Sequence, residues 1–209
     1  MRNKGGLIMN TWLSSIMDGF KIYFVYAAPI SLPVMVIMMI VSKKINLVEL
    51  VIRQLFVMYV CCVIELVFFP LPTMEEASQL SIQYQLIPLH FIADFMDDSF
   101  IRVFCQVMFN VVMMVPLGMF LEYCLGLDIR KAILVSFAVT AFIEIGQLTG
   151  LFFIFKGSYR LFDVDDLMLN TLGSLLGYFG IRRAEGRFIP AITSYDRFIG
   201  KDSILEYRL

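Results

Sequence analysis

The chain has 209 residues, of which 59% are hydrophobic and 17% are charged, and its mean hydropathy is +0.80. This composition is far more apolar than that of a soluble domain of the same length, so it indicates an integral membrane protein. The formal net charge of -1 excludes nucleic acid as a partner, because a phosphate-binding surface needs a clear excess of Lys and Arg.

The cysteines and the single histidine do not form a metal-binding pattern. Cys61, Cys62, Cys105 and Cys124 all lie in apolar runs without CxxC spacing, and His90 lies in a connecting segment. One imidazole cannot build a metal site alone, and buried free cysteines are usually small core residues. We therefore predict no metal site and no cofactor.

The N-terminal region is predicted to contain two elements. The stretch LIMNTWLSSIMDGF, residues 7 to 20, has near-helical spacing of apolar residues, which favours a helix lying in the membrane interface over a cleaved signal peptide. The apolar run at 22 to 41 is long enough to span a bilayer, but Pro29 and Pro33 should kink or break it. A re-entrant segment is the alternative for this run.

Four further apolar runs are long enough to cross a membrane as helices. They fall at residues 50 to 69, 102 to 124, 131 to 154 and 164 to 181. Together with the run at 22 to 41, they predict an all-α fold, namely a polytopic transmembrane helix bundle.

The distribution of charge predicts the orientation of the bundle. The segment from 70 to 100 contains five acidic residues and no Lys or Arg, as an external loop would. We place it outside together with the 155 to 163 link, and we place the C-terminal tail in the cytoplasm. Eleven of the 17 basic residues then lie at or near the cytoplasmic side, namely Lys43, Lys44, Arg53, Arg130, Lys131, Arg182, Arg183, Arg187, Arg197, Lys201 and Arg208.

Polar side chains inside the last three runs are the candidate functional residues. They are Asn110, Glu144, Gln147, Asp166 and Asn170. A helix rises about 1.5 Å per residue, so all five are predicted in the outer half of the bilayer, where they could share one pocket. An ionised carboxylate at the depth of Glu144 is costly, so that side chain should face the interior of the bundle.

These residues also have structural interpretations, which the sequence leaves open. Asp163 and Asp165 could serve only to cap the last helix. Asn110 and Asn170 could serve only as hydrogen bonds between helices. Gly173 and Gly177 form a GxxxG pair, which is typical of close helix packing.

Several motifs resemble those of the VanZ-like family of bacterial membrane proteins. They are QLIPL at 85 to 89, Asn110 followed by VPLG at 115 to 118, IEIGQ at 143 to 147, and RLFDVDDLMLNTLGSLLG at 160 to 177. The chain departs from the family pattern at Gln85, Leu89 and Met114. The resemblance covers about residues 55 to 181, and it marks the polar motif positions as candidates for a shared site, namely Asn110, Glu144, Gln147, Arg160, Asp163, Asp165, Asp166 and Asn170.

The resemblance implies a four-helix VanZ-like unit at 50 to 181. The region at 1 to 49 then holds the interfacial helix and one additional hydrophobic helix, and 182 to 209 is a short tail. The resemblance also implies a multi-pass protein of the bacterial cytoplasmic membrane and cell envelope, in a family named for resistance to the glycopeptide teicoplanin.

Two functions are consistent with these observations. The favoured one is a non-enzymatic protein that binds a membrane lipid or a lipid-linked envelope component in the outer leaflet and so alters susceptibility to teicoplanin-type antibiotics. The alternative is an intramembrane enzyme acting on an envelope lipid or its head group, with Glu144 as the acid or base. In that case Asp165 and Asp166 could hold a divalent cation. A transporter is less favoured, because no internal repeat is visible.

Overall fold

The computed structural model describes residues 4–42, 47–97, 100–158 and 160–184. Predictions for the tail beyond Ala184, and for Lys43, Lys44 and Asp98, fall outside these residues. Within them nearly all regular structure is helical, which confirms the all-α prediction. The helices are α1 (Lys4–Ile22), α2 (Ala28–Val41), α3 (Leu47–Phe68), α4 (Met74–Ser78), α5 (Phe91–Asp97), α6 (Phe100–Tyr123), α7 (Ile129–Leu148), α8 (Gly150–Phe153) and α9 (Val164–Ala184), with two short strands, β1 (Tyr84–Gln85) and β2 (Phe162–Asp163).

The N-terminal region is one helical run rather than two separate elements. A π-helical turn at Tyr23–Ala27 joins α1 to α2 without a break. Proline has no N–H, and its ring crowds the carbonyl four residues earlier, so a wider turn directly before Pro29 can relieve that crowding. The result is a candidate membrane span at Trp12–Val41, which includes residues 12 to 20 of the stretch that we assigned to the interface.

Four stretches in the described part of the chain have the length and apolar composition needed to cross a membrane: Trp12–Val41, α3, α6 and α7. The fifth predicted span is α9, which has 21 residues but is less apolar, with three buried polar side chains at Asp165, Asn170 and Ser174. It packs between α6 and α7, which explains how a helix of this composition is accommodated.

Small residues bring α9 into backbone contact with α6. A Cβ atom at Gly173 would overlap the carbonyl oxygen of Val111, and one at Gly177 would overlap that of Val115. On the other side of α9, the hydroxyl group of Ser174 forms a hydrogen bond of 2.7 Å with the hydroxyl group of Ser136 on α7. The predicted close-packing role of the two glycines is therefore what the geometry shows.

The connecting segments meet at one end of the bundle. There β1 pairs in parallel with β2, with Gln85 opposite Asp163. Helices α3 and α7 finish at this end and α6 and α9 begin there. We call it the strand end, and the functional candidates lie just inside it.

Candidate functional site

A cavity of about 270 Å³ lies between the helices just inside the strand end. Six of the eight residues predicted for a shared site line it, although they come from three different helices and a loop. The lining comprises Trp12, Leu66, Val67, Gln106, Phe109, Asn110, Met113, Ile143, Glu144, Gln147, Arg160, Leu161, Asp166 and Asn170.

Asn110 and Asp166 link α6 to α9 across the cavity wall. The side-chain amide of Asn110 donates a hydrogen bond to Asp166 Oδ1. A hydrogen bond to a carboxylate is charge-assisted, and such bonds are about twice as strong as neutral ones. This contact fixes the carboxylate of Asp166 at the position where it faces the cavity.

Glu144 is almost fully enclosed, with 1% of its surface exposed. Among the described residues it accepts one hydrogen bond, from the backbone N–H of Asp163 to Oε2 at 3.3 Å. A buried carboxylate usually accepts several hydrogen bonds or has a charged partner. The side chain thus retains acceptor capacity at the cavity surface.

Asn170 presents an acceptor that the described protein does not satisfy. The residue is 2% exposed, and its Oδ1 atom has no hydrogen-bond partner within the described ranges. Leaving a buried polar group unpaired costs about 1–3 kcal/mol. The oxygen itself is buried, so a donor on a bound molecule would reach it only after the Asn170 side chain turns toward the cavity that this residue lines.

Gln147 and Arg160 hold the cavity wall to the end of α3. Gln147 Nε2 donates to the carbonyl oxygen of Val67 at 2.9 Å, and Arg160 Nη2 donates to that of Phe69 at 2.7 Å. Both side chains therefore have a structural contact as well as a position on the cavity surface.

Asp163 and Asp165 are the two predicted residues that do not line the cavity. Asp165 accepts the backbone N–H groups of Leu89 at 2.5 Å and Phe91 at 3.0 Å. Asp163 accepts the N–H of Asp165 at 2.8 Å. These bonds fasten the segment containing the QLIPL motif over the start of α9.

The environment of Asp163 raises the pKa of its carboxyl group. Burial is the main cause, and the neighbouring charge of Asp165 adds to it, while the N–H of Asp165 acts in the opposite direction. The bond from the Asp163 backbone to Glu144 places this aspartate behind the cavity wall.

The sequence offers Asp165 and Asp166 as a candidate cation site, but in the structure the two side chains contact different partners. Asp165 binds backbone N–H groups of the loop, whereas Asp166 contacts Asn110. In the described part of the chain, no group of three or more His, Cys, Asp or Glu residues is arranged to hold a metal ion.

Trp12 is one of eight lining residues that the sequence did not predict, and it comes from α1. Its ring stacks on Phe109 with centroids 4.4 Å apart and an interplanar angle of 19°. Helix α1 reaches this position because Gly19 packs directly on Cys62 of α3. The available signal was a lone tryptophan in an amphipathic stretch, but nothing in the sequence pairs that stretch with α6.

Comparison with known proteins gives one match. The model of the VanZ/LLP1 family matches residues 56–185, which include α3 from Phe56 onward and everything described after it. Comparisons with curated proteins and with solved structures give no match. Helices α1 and α2 lie outside the matched residues, so Trp12 adds a wall to the cavity from outside the family unit.

Proposed function

Since the chain belongs to the VanZ/LLP1 family, whose model matches more than half of its length, we propose that it binds the head group of an outer-leaflet amphiphile. The amphiphile is a membrane lipid or a lipid-linked component of the bacterial envelope. Binding would lower susceptibility to teicoplanin-type antibiotics, in line with the family resemblance. The protein would reside in the cytoplasmic membrane with its C-terminus in the cytoplasm.

The observation that carries this proposal is the polar cavity within the bundle, whose lining residue Asn170 has an Oδ1 atom without a partner among the described residues. Ligand sites are typically concave and contain a few polar groups that fix the orientation of the ligand. Here two carboxylates and four side-chain amides line one space, and the buried Asn170 Oδ1 has no donor among the described residues. A head group with N–H or O–H donors fits this arrangement.

The depth of the cavity supports access from the outer leaflet. At about 1.5 Å per residue, Asn110 lies roughly 15 Å along α6 from the strand end, Glu144 roughly 6 Å along α7, and Asn170 roughly 9 Å along α9. All three depths fall within the outer half of a hydrocarbon core about 30 Å thick, provided that the acidic strand end faces outward. A lipid whose tails stay in the bilayer could place its head group there.

The test is the teicoplanin inhibitory concentration of a susceptible Gram-positive host that expresses the protein. We expect wild type to raise this concentration, and we expect Asn170→Ala to lose most of the increase. Glu122→Gln is the matched control, because Glu122 is also a buried polar residue but lies near the opposite end of α6, beside Arg182. An unchanged inhibitory concentration with wild type present in the membrane would contradict the proposal.

An enzymatic function is the second candidate, because the carboxylates of Glu144 and Asp166 both line the cavity. Two carboxylates in one enclosed space are a common arrangement for acid–base chemistry. Among the described residues that line the cavity, however, none is a serine, cysteine, lysine or histidine that could act as a covalent nucleophile.

Two substitutions of Glu144 separate the candidates. Glu144→Gln retains the shape and the acceptor for the Asp163 N–H but removes the acid–base function, whereas Glu144→Ala removes both. If the Glu144→Gln variant still raises the teicoplanin inhibitory concentration and the Glu144→Ala variant does not, catalysis by the Glu144 carboxylate is excluded. Loss of lipid modification in the Gln variant, with lipid binding retained, would support catalysis.

A further inference from the structure

The polar groups of the cavity are unequally engaged with the protein. Asn110 directs an N–H to Asp166, Gln147 directs one to the carbonyl of Val67, and Arg160 directs one to the carbonyl of Phe69. Each of these side chains thus has at least one N–H bound to the protein.

The acceptors also have capacity left. Asn170 Oδ1 has no partner in the described ranges, and Glu144 accepts one long hydrogen bond of 3.3 Å. Asp166 accepts from Asn110 on one of its two oxygens. The cavity wall therefore contains oxygen acceptors on α7 and α9, and two of these groups are carboxylates.

The charges are also unequal. Among the described residues that line the cavity, Glu144 and Asp166 are acidic and Arg160 is the one basic residue, and Arg160 also donates to the end of α3. Carboxylates in a low-dielectric site need a nearby cation or a proton. A positively charged ligand would meet this need more directly than a phosphate or a carboxylate.

The aromatic wall suits a cation as well. Trp12 and Phe109 both line the cavity, and tryptophan is the most effective partner in cation–π contacts, which act within about 6 Å of the ring centroid. This wall stands beside the acceptors, so the cavity combines counter-charges, an unpaired amide oxygen and an aromatic surface.

We infer that the cavity binds the primary ammonium group of a membrane amphiphile. An ammonium group has three N–H donors and a positive charge, and the acceptors that line the cavity include the two carboxylates of Glu144 and Asp166 and the amide of Asn170. A quaternary ammonium has no N–H and would leave Asn170 Oδ1 unpaired. This inference rests on the proposed function, since it specifies the head group that the same site takes.

The test uses the fluorescence of Trp12, which is the only tryptophan in the chain. The full-length protein in detergent micelles is titrated with phosphatidylethanolamine and with its N-acetyl derivative carrying the same acyl chains. We expect a saturable change in emission with the free amine and binding weaker by roughly tenfold or more with the acetylated lipid, since a charge-assisted contact is lost. Soluble phosphoethanolamine is a third arm and should bind much more weakly than the lipid.

Variants assign the effect to the cavity. Glu144→Gln should weaken binding of the free amine by roughly tenfold, because it removes one counter-charge. Glu122→Gln should leave binding unchanged, because Glu122 lies roughly 18 Å along α6 from Asn110. The comparison of the two lipids uses only the wild-type chain, so it holds even if a variant does not fold.

The outcomes distinguish the inference from the proposed function. Equal binding of both lipids would overturn the ammonium inference and leave head-group binding intact. No binding of either lipid, with no lipid co-purifying by native mass spectrometry, would overturn both. Equally tight binding of soluble phosphoethanolamine would identify a soluble amine as the ligand and overturn the assignment to an amphiphile.

Discussion

Asp165 and Asp166 are adjacent in the chain but have different roles in the structure. Successive residues on a helix point about 100° apart, so one side chain faces the loop and the other faces the cavity. Asp165 is 2% exposed and binds two backbone N–H groups, while Asp166 binds Asn110. The sequence alone left both open as caps or as ligands, because the deciding partners, Leu89 and Phe91, lie more than 70 residues away.

The different contacts of Asp165 and Asn170 predict unequal effects for two alanine substitutions. Asp165→Ala should lower the stability of the protein by about 1–3 kcal/mol, because two N–H groups lose a charged acceptor. Asn170→Ala should change stability little, since its Oδ1 has no partner in the described ranges. Thermal unfolding of both variants in the same detergent measures the difference.

A ranking in which Asn170→Ala is the less stable variant would show that Asn170 supports the fold. In that case Asn170 would have a structural role, and its Oδ1 atom would no longer support a ligand-binding site.

At the scale of elements, α9 is the helix on which the site depends. Its glycines let it approach α6 closely enough for Asn110 to contact Asp166, and Gly118 of α6 makes the reciprocal contact with the carbonyl of Ser174. The GxxxG spacing predicted close packing. The identity of the partner helix could not be read from it, because the spacing specifies only one side of an interface.

Three glycines of α9 offer a matched test of this packing. Gly173→Ala and Gly177→Ala should each destabilise the protein by about 1–3 kcal/mol, as overpacking of a tight core does. Gly180→Ala should be neutral or slightly stabilising, since a Cβ there would meet nothing within 4 Å in the described structure. Thermal unfolding and the yield of monodisperse protein are the measurements, and equal behaviour of all three variants would contradict this packing.

The elements were predictable where their signal is local. The apolar runs predicted α3, α6 and α7 to within a few residues at most boundaries, although the run at 131 to 154 extends beyond the end of α7 at Leu148. The joined N-terminal run was not predicted, because Pro29 reads as a break and the π-helical turn that accommodates it has no clear sequence pattern. Trp12 was missed for a related reason, since its stacking on Phe109 depends on how α1 packs.

At the scale of the whole molecule, the two ends of the bundle differ in charge. The strand end has Glu75, Glu76 and Asp94 nearby, whereas Arg130 and Lys131 begin α7 at the other end. Helix α3 ends at the strand end, where its Cys62 contacts the carbonyl oxygen of Ile16, whereas its Gln54, farther from that end, accepts from the Tyr23 hydroxyl. The first span therefore begins at the strand end, a position that the re-entrant alternative for this run had left open.

The charge difference predicts that the strand end faces the outside of the cell. In a background without native cysteines, Glu75→Cys should react with a membrane-impermeant maleimide in intact cells. Asp128→Cys, at the opposite end and also exposed, should react only after permeabilisation. The reverse pattern would place the cavity on the cytoplasmic side and rule out access from the outer leaflet.

The central claim is that the polar side chains of α6, α7 and α9 meet in one cavity. The most direct measurement is cross-linking by a short bifunctional thiol reagent in a chain whose four native cysteines are replaced. Asn110→Cys combined with Asp166→Cys should cross-link, because the two native side chains are in contact. Val112→Cys combined with Asp166→Cys should not, because Val112 is 62% exposed on another face of α6. Cross-linking of the Val112 pair with none in the Asn110 pair would contradict the account.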